Sequence, residues 1–154
     1  MDTQQPIVID KRFIRQVYLQ LLEPTLRVPW KCLMFKTDAR SKAVVTMWLH
    51  LQGRLLTNDR LMKWGFQVDA ECVFCHAPLE TNDHLFVYCL FAKSLWDRLL
   101  RWLQRQSYYA TSWEQHLEWV IKQAKGRSQA ASIFKLVYAE VIHAIWIERN
   151  QRIF

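Results

Sequence analysis

Cys72, Cys75, His84 and Cys89 follow a C-x2-C-x8-H-x4-C pattern in a loop-rich stretch, and thiolate and imidazole are the donors preferred by a borderline-soft cation. Zinc takes four such ligands in a tetrahedron, supplied from two points on the chain. Two cysteines separated by two residues can aim both sulfurs at one ion from a tight turn, with backbone amides directed at the thiolates. Pro78 and the polar run Glu80-Thr81-Asn82-Asp83 then reverse the chain, and His84 and Cys89 return to the ion from the start and end of roughly one helical turn. His76 is a rival ligand, but its adjacency to Cys75 makes it hard for both to reach one centre, which places it on the surface. Three of the chain's four cysteines lie here, an odd number that argues against a bridge, and a basic chain without a secretory leader gives little reason to expect disulfides. A core of small thiols with a satisfied histidine is the bland alternative, and the spacing fits it poorly. The expected centre is one structural Zn2+: three cysteines and a histidine close the shell, whereas a catalytic ion keeps a position open for water.

The elements that must position these ligands read as helices. Asp10 caps a first one, with Phe13, Ile14, Val17, Tyr18, Leu21 and Leu22 at helical spacing and Pro24 as its end; Lys11, Arg12 and Arg15 form its solvated face. Residues 24 to 37 leave helix and strand undecided, and Cys32 within them reads as a buried thiol. A second helix is expected from about Asp38 to Gln52, burying Val44, Val45, Trp48, Leu49 and Leu51, with Gly53 just past its end. A third runs between Thr57 and Gly65. Together they brace the ligand loop through the aromatic faces of Trp48 and Trp64.

After Cys89, Leu90, Phe91, Leu95, Trp96, Leu99, Leu100 and Leu103 recur at three- and four-residue steps. The other face carries Lys93, Arg98, Arg101 and Arg105, the last three along one stripe. That stripe is either a set of phosphate contacts, since arginine offers bidentate donors, or a solvated face with Asp97 pairing Arg101. Ser112-Trp113-Glu114-Gln115 is a capping box for a helix closed by Gly126, and Ser128 caps the last helix. That helix has a wide apolar face including Ile142, Ile145 and Trp146, and is either the central core helix or half of a partner interface. His50, His116 and His143 read as core or rim histidines.

Composition agrees with a mainly α chain: a small helical domain of about five to six helices organised around a single structural zinc knuckle. Only three Gly and four Pro leave few turns, and eight Trp, eight Phe and five Tyr supply a large core. The expected organisation is a tail at 1–10, a helical zinc-binding domain at 11–105 with its finger at 72–89, and a helical extension at 106–154 packing on it. With 21 basic against 14 acidic residues the net charge is +7, which suits a polyanion such as RNA or DNA, or an anionic protein. No apolar run approaches the roughly 18 residues of a membrane span, and the first ten residues hold two acids and no base. A nuclear or cytoplasmic protein with no signal peptide, no transmembrane segment and no membrane partner is expected.

Enzyme signatures are missing. There is no glycine-rich phosphate loop, G-x-S-x-G or H-E-x-x-H, no carboxylate pair suited to two metals, and no H-x-E ahead of a P-C-x-x-C. The expectation is a non-enzyme without a small-molecule substrate.

The run Leu55-Leu56-Thr57-Asn58-Asp59-Arg60-Leu61, then Trp64-Gly65, Cys72-Val73-Phe74-Cys75, Glu80-Thr81, His84-Leu85-Phe86, Cys89 and Leu95-Trp96 resembles the zinc-binding domain at the C-terminal end of plant non-LTR (LINE-type) retrotransposon reverse transcriptases. The resemblance covers roughly Lys11 to Leu103, and Glu148-Arg149-Asn150 with Ile153-Phe154 is similar to the segment that often follows. It implies that Cys72, Cys75, His84 and Cys89 bind zinc, and that the chain, lacking the polymerase, endonuclease and ribonuclease H regions, is a stand-alone or domesticated fragment. Two functions follow as expectations: a nucleic-acid-binding module using Lys93, Arg98, Arg101 and Arg105, or a protein-interaction adaptor, including self-association, through Ile142, Ile145 and Trp146 of the last helix.

Overall fold

In a computed structural model, residues 28–106 and 110–153 are described; the expected first helix, the tail at 1–10, Ser107 to Tyr109 and Phe154 lie outside them. Among the described residues all regular structure is helical: α1 Lys31–Met34, α2 Ser41–Leu51, α3 Asn58–Lys63, a π-helical turn at His84–Tyr88, α4 Leu90–Trp102, α5 Trp113–Ala124 and α6 Gln129–Ile153. The mainly α expectation holds.

The organising element is α6. Ala131, Phe134, Tyr138, Ile142 and Ile145 recur every three or four residues and are all buried, so they form one continuous stripe along the helix. At about 1.5 Å per residue this 25-residue helix is roughly 37 Å long, enough to touch most of the other elements. It packs along α2, with α5 against its first half. Of the two expectations for its apolar face, the central core helix is the one observed. Ile142 and Ile145 are 0% and 1% exposed and join Met47, Leu51, Leu85 and Phe86 in the core, so they are covered within the chain. Trp146 is half-buried beside them and carries the Arg149 guanidinium 5.1 Å from its ring.

The expectation that no segment is long and apolar enough to cross a membrane is corrected by α6, which qualifies by length and composition. Lys135 and Glu140 interrupt its apolar run, which hides that property from a search for uninterrupted residues. Half of the apolar window is buried inside the chain, as a core helix requires.

Helix ends follow the expected chemistry. The Ser112 hydroxyl accepts from the Gln115 amide and the Ser128 hydroxyl from the Ala131 amide. Gly53 and Gly65, at φ 60° and 84°, take the left-handed conformation that ends α2 and α3. Asp38 does not begin α2. The Arg40 amide donates instead to Glu140 of α6, whose carboxylate also accepts from the Arg40 guanidinium, so this helix is capped by a residue one hundred positions away.

α2 also corrects the expected buried set. Ala43, Thr46, Met47 and His50 face the core, while Val45 is 55% and Trp48 37% exposed. The inward face is rotated from the one expected because Thr46 and His50 have polar partners inside. Thr46 bonds His143 Nδ1, and His50 Nδ1 lies 2.9 Å from Asn82 Oδ1.

Candidate metal centre

The first pair of ligands sits in a closed turn. The Cys72 amide donates to the Ala77 carbonyl and the His76 amide to the Cys72 carbonyl, which folds residues 72 to 77 back on themselves. His76 takes φ 56° there, and its exposed ring points to Glu71, 3.7 Å away, in keeping with a surface residue. The second pair comes from the π-helical turn. Residues five apart would lie about 140° apart around an α-helix, whereas an i→i+5 turn brings them closer to one face. The Cys89 amide closes that turn on the His84 carbonyl at 2.7 Å, so the five-residue spacing selects this wider turn over the ordinary helical turn expected.

The four donor atoms then converge. Cys72 Sγ and Cys89 Sγ are 3.8 Å apart, Cys75 Sγ is 3.2 Å from His84 Nε2, and all four lie within 4.8 Å of one another. A tetrahedral zinc with bonds of about 2.3 Å to sulfur and 2.0 Å to nitrogen needs edges of roughly 3.5–3.8 Å, so the donor set fits that ion. Cys72 and Cys89 are buried, and Cys75 and His84 are partly so. Cys32, half-buried against the core, stands outside the cluster.

Burial raises the Cys72 thiol above its ordinary pKa and pushes Cys89 up to about 12. At Cys75 burial acts in the same direction, but the Ala77 amide and the neighbouring thiols outweigh it and lower the value. Burial lowers His84. Burial by itself thus favours protonated thiols at Cys72 and Cys89 and a neutral imidazole at His84; bound zinc would supply the positive charge that makes thiolates stable there, with release of protons.

Helix α6 supplies what Trp48 and Trp64 were expected to supply. Trp64 is 58% exposed, with the Arg60 guanidinium 5.4 Å from its ring. Arg149 instead enters the ligand loop: Nη2 is 2.7 Å and Nε 3.1 Å from Glu80 Oε1, with Nη2 also 2.6 Å from Asn58 Oδ1. The Arg149 and Glu80 side chains are 2% and 0% exposed. Glu80 further accepts from the Asn58 amide, while its own amide donates to Ala70. One residue pair thus joins the last helix, the start of α3 and the segment between the two halves of the metal site. Nearby, Phe74 of the knuckle stacks on Phe91 at 4.3 Å, with the Arg152 guanidinium 4.9 Å from the Phe74 ring. The Arg149–Glu80 pairing was missed in the sequence, yet a signal exists: continuing the stripe of Ile142 and Ile145 by four residues lands on Arg149.

These contacts describe a knuckle whose four ligands are set by one tight turn and one π turn and sealed by a distant helix. Residues 13–96, more than half the chain, match the family described as zinc-binding in reverse transcriptase. The chain belongs to that family. Comparison with curated proteins and with solved structures finds no match. Membership and geometry agree on one zinc, held by Cys72, Cys75, His84 and Cys89. The matched region is the reverse transcriptase's zinc-binding domain and not its polymerase. Its boundary at residue 96 leaves Arg149 and Arg152 outside, although both pack on the knuckle of this zinc-binding domain.

The four basic residues singled out on α4 divide. Arg98 and Arg101 are exposed, with Arg101 Nε donating to the Asp97 carbonyl. Lys93 is half-buried beside a cavity of about 20 Å³ that also touches Trp96 and His116. Arg105 turns toward α5 and α6: it bonds the Gln123 side chain and reaches the Ala130 carbonyl, with its guanidinium 5.7 Å from the Phe134 ring.

Proposed function

We propose that the chain is a non-catalytic, zinc-stabilised nucleic-acid-binding module derived from a retroelement reverse transcriptase. The observation that carries this reading is the outer face of α4, where exposed Arg98 and Arg101 project from a helix that begins directly after the ligand Cys89. A zinc-fixed helix start gives those guanidinium groups a defined orientation, and bidentate donors of fixed orientation suit phosphate oxygens. The net charge of +7 favours a polyanionic partner over a neutral one. Lys93 and Arg105 flank this face, Arg105 as a partly engaged neighbour. A closed Cys3His shell supports a structural role for the metal, and a nuclear or cytoplasmic setting accompanies the reading.

Titration of labelled RNA or DNA with the zinc-loaded protein tests it. Affinity should fall by about 10³ or more between about 50 and 200 mM salt if half a dozen phosphates are contacted, and by less if fewer are. Absence of binding at the lower salt overturns the reading.

A protein-interaction module is the second reading, and one observation moves it from Ile142, Ile145 and Trp146 to another surface. A groove of about 570 Å³ beside the knuckle is lined by Leu61, Phe66, Val68, Val73 and Ile153, with Phe66 59% exposed. Apolar surface of this kind suits a protein partner or a second copy of the chain. Light scattering over a range of concentrations, with Phe66→Ser as the control, detects self-association there.

A further inference from the structure

The proposed nucleic-acid function leaves the form of the strand unassigned, and Trp102 bears on it. This residue ends α4 and is 72% exposed, more than any other tryptophan in the chain. Five of the others are engaged. Trp96 stacks on Tyr138 at 5.6 Å, Trp119 meets Phe134 edge-on, Trp113 meets His50, and Trp146 and Trp64 lie under Arg149 and Arg60. Trp102 presents its indole to solvent where water contact is least favourable for so large an apolar ring.

Its position on α4 adds the charge. Arg98 precedes Trp102 by four residues and so shares its face, and Arg101 is adjacent in sequence; both arginines are exposed. An exposed aromatic ring one helical turn from an exposed guanidinium group, with a second exposed guanidinium on the same helix, fits a nucleotide whose base stacks while its neighbouring phosphates pair. A duplex cannot use the ring in this way, because both faces of each base are already stacked in the helix. We infer, building on the nucleic-acid reading, that Trp102 is a stacking platform for a base of single-stranded RNA or DNA whose flanking phosphates are held by Arg98 and Arg101. The module therefore prefers single strands to duplexes.

The test compares zinc-loaded full-length protein and its variants by fluorescence anisotropy on labelled single strands of about 12 nucleotides, RNA and DNA, and on the corresponding duplexes. Trp102→Ala should weaken single-strand binding about tenfold and leave duplex binding unchanged, whereas Trp102→Tyr should restore most of the loss. Arg98→Ala with Arg101→Ala should weaken both substrates. Zinc content and circular dichroism of Trp102→Ala should match the parent, because the side chain is exposed. Equal affinity of the parent for both forms, or a Trp102→Ala protein indistinguishable from the parent on single strands, overturns the platform while salt-dependent binding still supports the broader reading. A parent protein that binds no strand at low salt overturns both.

Discussion

Arg149 and Arg101 are the same residue type on two helices of one chain, yet they occupy opposite environments. Arg149 is 2% exposed and bonded to Glu80 and Asn58, whereas Arg101 lies on the open face of α4. A guanidinium taken out of water must have its donors met, so Arg149 is committed to holding the metal loop against α6. An exposed one retains its hydration and can exchange it for phosphate at little cost. Buried charge therefore marks where this chain is held together, and exposed charge marks where it can meet something else.

Removing the metal gives the largest expected separation of the two regions. Cys75→Ser, or a strong chelator, should abolish stoichiometric zinc and unfold at least residues 66–90, since a structural zinc contributes on the order of 10 kcal/mol. Metal analysis with hydrogen exchange across the knuckle checks this. Retention of native protection at Cys72 and Cys89 without zinc would remove the metal from the centre of the fold.

Arg149→Met comes next. It leaves the Glu80 carboxylate buried without its partner and should cost about 3–5 kcal/mol in urea unfolding. Adding Glu80→Leu should recover most of that loss, because an apolar pair of similar volume often replaces a buried ion pair without penalty. A single variant as stable as the parent would show that the pair does not bind α6 to the loop.

The core beside this junction has its own acid sensitivity. Burial lowers His50 to about 3 and His116 to about 4, and both rings lie 3.4 Å from the Tyr138 hydroxyl. The unfolded chain takes up protons at these histidines near pH 6.5 and the folded chain does not, so stability is full above that value and declines toward pH 3–4. At pH 5 each should account for roughly 2 kcal/mol of loss, seen as a lower urea midpoint in zinc-saturated buffer. His116→Phe should flatten the pH profile, and an unchanged slope would place the sensitivity elsewhere.

The smallest stability effect is expected on the open side. Arg98→Ala and Arg101→Ala together should change unfolding free energy by no more than about 0.5 kcal/mol each, while reducing the slope of log affinity against log salt by nearly one unit per lost phosphate contact. A large loss of stability would show that these two residues, like Arg149, serve the fold.

Much of this was legible in the chain itself. The ligand spacing defined the zinc site because four soft donors within eighteen residues need little more than local turns to meet. Helix existence followed from three- and four-residue periodicity, and its ends from Ser112, Ser128, Gly53 and Gly65, all of which act through neighbours a few residues away. What periodicity could not assign was which face turns inward or what meets it. Trp48 and Trp64 share helical spacing with core residues and remain exposed. Glu140 caps a helix one hundred residues earlier, and Arg149 continues an apolar stripe because Glu80, 69 residues away, neutralises it. Local chemistry depends on residues adjacent in sequence and is determined by sequence alone. The burial of a charge or the exposure of a tryptophan depends on whether a distant segment arrives to cover it, and the tertiary structure decided that.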